Sequence, residues 1–205
     1  MKSENQRSEG LSSSAGAGYW EERYEREQTG WDLGTVSPPI YSFFEKQTNK
    51  KARILIPGCG NSYEAQALAK LGYENITVID ISKTLTEKLR RSFKSEYPDI
   101  EVLTGDFFEH SGSYDIIIEQ TFFCAIHPSM RTGYVEKCAE LLTHQGQVIG
   151  LLFDREFVEG PPFGGSKNEY LTYFKAYFEI QHMDKCYNSI SARAGSELFI
   201  SLTKR

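Results

Sequence analysis

The segment "RILIPGCGNSYEAQALAKLGYENITVIDIS", residues 53–82, constrains the fold more than any other part of the chain. An apolar run with β-branched residues gives way to Gly-Cys-Gly, a run of helix formers follows, and "ITVID" resumes the apolar pattern. Strand, tight turn, helix and strand make a βαβ unit, a right-handed crossover between parallel strands. Gly58 and Gly60 remove the two Cβ atoms that would hold the backbone off a ligand. The N–H groups opening the next helix then face the ligand's polar end. Asp80 closes the second strand about 20 residues on, where a carboxylate can accept both hydroxyls of a ribose.

The alternation continues. "SKTLTEKLRRSFKSEY" reads as a helix capped by Ser82, "IEVLTGDF" as a third strand and "YDIIIEQT" as a fourth. "PSMRTGYVEKCAELLT" is a helix opened by Pro128, and "GQVIGLLF" is a fifth strand. After the loop "DREFVEGPPFGGSKNE" comes a helix, "YLTYFKAY", and then two strand-like runs, "FEIQHMDKCY" and "ELFISLTKR", joined by the turn-rich "NSISARAGS". The fold class expected is α/β, a doubly wound, mostly parallel Rossmann-like sheet with an antiparallel edge hairpin at the C-terminus.

Upstream, "YWEERYEREQTGW", residues 19–31, sets Trp20, Tyr24 and Trp31 on a short amphipathic helix ending near Thr29-Gly30. "SPPIYSFFEKQ" opens a second helix on Pro-Pro. Residues 19–205 are expected to form one domain, with 19–50 as a helical lid. The first 18 residues, polar and rich in Ser and Gly, read as a disordered tail, neither secretory signal nor membrane anchor.

The chain has 205 residues and a net charge of −5, with no Lys/Arg block, which argues against a nucleic-acid partner. No apolar run is long enough to span a bilayer. Cys59, Cys124, Cys138 and Cys186 lie far apart, without metal-ligand spacing, and read as free thiols of a reducing cytoplasm. No metal is expected, and the chain reads as a monomer acting on a small molecule.

Two adenosine-bearing cofactors compete for the glycine turn. A dinucleotide fingerprint places a third glycine three residues past the second, packing helix on strand around a pyrophosphate. Here that position is Tyr63, and Pro57 precedes the glycines. Both fit a ligand without pyrophosphate, such as S-adenosylmethionine. The contact set expected for it is Gly58, Cys59 and Gly60 at the turn, Asp80 and Ile81 at the ribose, and Asp106 with Phe107 at the adenine, the ring of Phe107 lying on the base.

These residues resemble the thiopurine S-methyltransferase family, and within it the thiol, thiocyanate and halide methyltransferase branch. The resemblance covers residues 19–205 and rests on "YWEERYEREQTGWDLG", "LIPGCGNSYEAQALAKLGY", "VIDIS", "GDFF", "FFCAIHPSMR" and "GPPF", which occur in family order. It implies a seven-stranded class I methyltransferase sheet, S-adenosylmethionine as methyl donor with S-adenosylhomocysteine as product, and a small soft nucleophile as acceptor. Carried over by position, Trp20, Tyr24 and Trp31 cover the cofactor, and Gln120 stands near the sulfonium and the acceptor. Where the animal thiopurine enzymes look to have an arginine facing the acceptor, this chain has Gln120. Phe122 and Phe123, shared with the plant branch, favour a smaller and drier pocket.

A sulfonium methyl carries its own leaving group, so transfer is an in-line displacement. Holding nucleophile and methyl about 3–3.5 Å apart supplies about 7–11 kcal/mol in favourable cases. Gln120, Phe122 and Phe123 are therefore expected to position the acceptor, with Pro162 and Phe163 of "EGPPFGG" as a stiff lip over it and Gly164 and Gly165 as a hinge. Base candidates are Glu119, His127, Asp154 and Glu156, with His127 read as a loop residue and Cys124 as packing. Other readings are thiopurine or selenium and tellurium species as acceptors, and a cofactor-binding sensor without catalysis.

Overall fold

The computed structural model describes residues 16–205. Of the 18-residue tail, residues 1–15 lie outside the described part, and Ala17 and Gly18 already belong to the first helix.

Helix α1, Ala17–Glu25, is shorter than the aromatic spacing suggests. Glu27 takes φ +54 just past the helix, and residues 26–36 run on as turns and bends towards the glycine turn. Helix α2, Pro38–Phe44, begins on its two prolines and buries Ile40 and Phe44. The βαβ unit follows as β1 (Arg53–Pro57), α3 (Tyr63–Lys70) and β2 (Asn75–Asp80). Helix α4, Lys83–Glu96, is capped by Ser82, whose hydroxyl accepts from the Leu85 amide. Strands β3 (Ile100–Thr104) and β4 (Tyr114–Gln120) come next.

Pro128 starts a separate 3₁₀ turn, and helix α5 proper runs Arg131–Leu141, with Gly133 inside it. Strand β5, Leu142–Phe153, begins four residues before Gly146, beyond a bend where Gln145 takes φ +63. Helix α6, Lys167–Phe174, starts earlier than its apolar pattern because Ser166 caps it by accepting from the Glu169 amide. Strands β6 (Phe178–Lys185) and β7 (Glu197–Lys204) complete the chain.

The seven strands lie in the order β3-β2-β1-β4-β5-β7-β6. The first four pairings, from β3 to β5, run parallel, and β7 is antiparallel to both β5 and β6, so the C-terminal hairpin forms the edge with β7 on its inner side. Alternate residues of the central strands feed two cores. Ile54, Ile56 and Ile118 point to the layer of α2, α3 and α4. Leu55 and Ile117 point to that of α5 and α6. Both faces being covered, β1 and β2 are buried along nearly their whole length, as parallel strands must be. Strand order reverses between β1 and β4, and at such a switch point the loops diverge and leave a crevice at the carboxyl ends.

Candidate active site

The turn after β1 fills that crevice. Gly58 and Gly60 take φ +55 and +53. The Cys59 amide donates to the Ile79 carbonyl at 3.3 Å, and the Gly60 amide to Asp80 Oδ2 at 3.3 Å. Asp80 Oδ1 accepts from the Ser82 amide at 3.0 Å. This carboxyl is 7% exposed, and burial pushes its pKa up to about 6 against the pull of the Ser82, Gly60 and Ile81 amides. The position where a dinucleotide turn has its third glycine is occupied by Tyr63, whose hydroxyl donates to Asp32 Oδ2 at 3.3 Å, beside a short hydrogen bond from Asn61 Nδ2 to the same oxygen. That pair of contacts ties the 26–36 segment to the glycine turn.

The crevice is a cavity of about 720 Å³. Its floor comes from strand ends: Gly58, Asp80, Ile81, Asp106 and Phe107. Trp20, Tyr24 and Trp31 roof it, with Trp31 edge-on to Trp20 at 5.3 Å and to Tyr24 at 5.7 Å. The roof is pinned by Glu21, whose carboxylate accepts from the Thr84 amide at 3.0 Å and its hydroxyl at 2.6 Å, at the N-terminus of α4. An anion there also meets the helix dipole favourably. Phe122, Cys124, Phe153, Pro161 and Pro162 form the far wall.

Several expected site residues stand elsewhere. Cys59 lines no part of the cavity, its thiol donating to the Gly60 carbonyl, and Gly60 itself lies behind Asp80. Gln120 faces a separate void of about 10 Å³ with Glu119 and Glu197, and its buried Oε1 has no hydrogen-bond partner among the described residues. Phe123 is 1% exposed and packs in the core beneath Arg131. Phe163 turns to His127, 5.5 Å between ring centres. Asp106 and Phe107 do line the cavity, with Asp106 Oδ1 also accepting from the Phe108 amide and Phe107, 3% exposed, packed on Phe122 and Tyr134. Of the four base candidates none lines the cavity. Glu119 is sealed in the core, His127 caps the Ser129 amide, Asp154 pairs with Lys185 at 2.9 Å, and Glu156 is exposed. The Cys124 thiol donates to the Thr121 carbonyl, and burial lifts its pKa to about 12, so it is not a nucleophile here.

The loop "EGPPFGG" is held by side chains beneath it. Buried Arg131 donates to the carbonyls of Phe163 and Gly164 at 3.3 and 2.8 Å, pairs with Glu169 at 2.7 Å, and stacks on Phe123. Gly164 and Gly165 are packed: an added Cβ would meet the Arg155 carbonyl at 2.0 Å and the Tyr170 hydroxyl at 2.5 Å.

One residue of the cavity had no sequence signal. Arg193, from the turn-rich "NSISARAGS", is 9% exposed, donates to the Trp31 carbonyl at 2.8 Å, pairs with Glu197 at 3.3 Å, and lies over the Phe153 ring at 5.3 Å. It puts a guanidinium in the cavity lining beside Trp31 and Phe153. Among the described residues no three His, Cys, Asp or Glu side chains stand where a metal could be held, and no helix is long and apolar enough to cross a membrane.

Comparison with known proteins gives a family and a fold. A family model described as thiopurine S-methyltransferase matches residues 15–198. A probable thiol methyltransferase 2 of Arabidopsis thaliana is 36% identical over 166 residues, 78% of this chain and 73% of that protein. Thiocyanate methyltransferase 1 of the same plant is 32% identical over 154 residues, 71% of this chain and 66% of that protein. Among solved structures, the Burkholderia thailandensis 1,6-didemethyltoxoflavin-N1-methyltransferase, with its acceptor and S-adenosylhomocysteine bound, superposes with a TM-score of 0.74 at 14% identity, over 92% of this chain and 86% of that one.

Proposed function

Because this chain belongs to the thiopurine S-methyltransferase family, we propose that it transfers the methyl group of S-adenosylmethionine to a small soft anion, namely a thiolate, hydrosulfide, thiocyanate or halide. The residues present suit that cofactor. Gly58 lines the cavity with no side chain of its own and with the Phe122 ring beside it, the buried carboxylate of Asp80 stands at the strand end with capacity for sugar hydroxyls, and a cavity of about 720 Å³ has room for a nucleoside with an amino-acid tail and an acceptor beside it. Gly58 would hold the methionine portion, Asp80 and Ile81 the ribose, and Asp106 with Phe107 the adenine. Bound there, the cofactor supplies a methyl already attached to a good leaving group.

The chain's own work is binding, orientation and exclusion of water. Trp20, Tyr24 and Trp31 close the roof, and their ring faces tolerate a sulfonium cation. Phe122, Phe153, Pro161 and Pro162 make the acceptor end apolar, which strips water from an entering anion. Arg193 offsets the cost of bringing that anion in, and it carries the proposal, since a buried guanidinium that is paired with Glu197 and still lines the cavity beside Phe153 suits a negatively charged acceptor. A thiol must arrive ionised or lose its proton to water, because no base candidate reaches the cavity. We take the protein to act on a small molecule as a monomer, in the cytoplasm, where the four buried thiols stay reduced.

Incubation with methyl-labelled S-adenosylmethionine and hydrosulfide, thiocyanate, iodide or a thiopurine tests the proposal. Labelled methyl should appear on the three inorganic anions. Binding of the cofactor without transfer to any of them would refute it.

A further inference from the structure

Glu119, the penultimate residue of β4, is 1% exposed and lines no part of the large cavity. What it touches is the turn that carries Phe122. Its Oε1 accepts from the amides of Phe122 and Phe123, both at 2.9 Å, and its Oε2 accepts from the Tyr134 hydroxyl at 2.6 Å. The turn needs such a grip. Thr121 sits at φ +62, a left-handed conformation that costs a β-branched residue about 1–3 kcal/mol and persists only where the surroundings over-determine it. With Thr121 so placed, the Phe122 ring lies directly over Gly58 and edge-on to Phe107 at 5.3 Å and Tyr134 at 5.9 Å. Tyr134 therefore both packs on Phe122 and donates to the carboxylate that holds Phe122 in place. A buried carboxylate with no cation against it is costly, and these three donors are what offset it.

We infer that Glu119 is a positioning residue for methyl transfer: by holding the amides of Phe122 and Phe123 it fixes the Phe122 ring on the glycine turn, as the wall against which the transferred methyl is aimed. The inference rests on the reading of Gly58 as the methionine end of the cofactor site.

The test uses the full chain with bound [methyl-¹³C]-S-adenosylmethionine, and reads the methyl resonance together with kcat and KM for thiocyanate. An aromatic ring shifts nuclei lying against it, so the resonance reports where Phe122 sits. E119Q, which keeps an acceptor oxygen for the two amides, should retain the wild-type resonance and kcat. E119M, of similar length but with no acceptor, should move the resonance towards its free value and lower kcat about a hundredfold, as a misplacement of about 1 Å does, with cofactor affinity little changed. Should E119M not fold, E119D, which withdraws the carboxylate by one methylene, should give the same change on a smaller scale. Wild-type resonance and kcat in both E119M and E119D would overturn the inference, as would an E119Q enzyme as damaged as E119M. If the wild-type protein methylates no acceptor but its bound methyl still responds to Glu119 in this way, the acceptor reading falls and the positioning role stands.

Discussion

Phe122 covers Gly58 so closely that a Cβ built on Gly58 would lie 2.3 Å from Phe122 Cδ2. Residue 58 is also at φ +55, so two separate penalties meet any larger residue there. G58A is expected to lose about 1–3 kcal/mol of stability to the backbone conformation alone, with more from the ring it displaces. Adding F122A should restore the second part and not the first. Urea unfolding of the two variants separates them, and calorimetry should show weak S-adenosylhomocysteine binding in both.

Asp80 gives a pH dependence whose sign follows from burial. Burial raises its folded pKa to about 6, above the ordinary aspartate range, so the fold favours the protonated form. Its contribution to stability is present below the unfolded value and is lost as pH rises through about 6. Ligand binding should run the other way, because ribose hydroxyls donate to the ionised carboxylate. Affinity for S-adenosylhomocysteine should fall by up to about tenfold per pH unit below that midpoint, the slope of one proton. D80N should bind weakly and without that slope.

Arg193 and Glu197 are both buried, so removing the arginine alone strands a carboxylate that is 2% exposed, at a cost of about 3–5 kcal/mol. The double variant R193Q/E197Q avoids this and should melt near the wild-type temperature. Its KM for thiocyanate and iodide should rise while its affinity for S-adenosylhomocysteine holds. Equal loss of both would make Arg193 a strut rather than an anion site.

Arg131 supports the proline loop from below. Glu169, its partner, has a side chain 36% exposed and can turn to water, so R131M should cost less than breaking a fully buried pair, about 2 kcal/mol, and should open residues 155–165 to proteolysis. F163A, by contrast, should leave acceptor KM almost unchanged, since that ring faces His127 and not the cavity.

The glycine turn, Asp80 and the aromatic roof were legible because each rests on local pattern: apolar strands that fix direction, glycines at a strand end, and rings spaced along one short segment. Gln120 was misjudged for a reason no alternation rule contains. Gln120 is still paired in β4 with Leu151 and lines only the small void, while beyond the left-handed Thr121 the chain brings Phe122 to the cavity. Glu119, read as a base, is sealed in as the anchor of that turn. Arg193 and Arg131 could not be read as buried cations, because burial depends on Trp31, 162 residues away along the chain, and on Glu169, 38 away. Around Gly164-Gly165, read as a hinge, the structure shows close packing. Their missing side chains allow close packing against Arg155 and Tyr170, which the sequence signals in the same way as flexibility.

Anomalous diffraction from iodide soaked into crystals of the S-adenosylhomocysteine complex tests most directly whether one cavity holds donor and anionic acceptor together. The account predicts an ordered iodide inside the cavity, in contact with Arg193 and facing the position the methyl has left. Iodide confined to the outer surface, with the cofactor product bound and the aromatic roof closed over a cavity free of the anion, would contradict it.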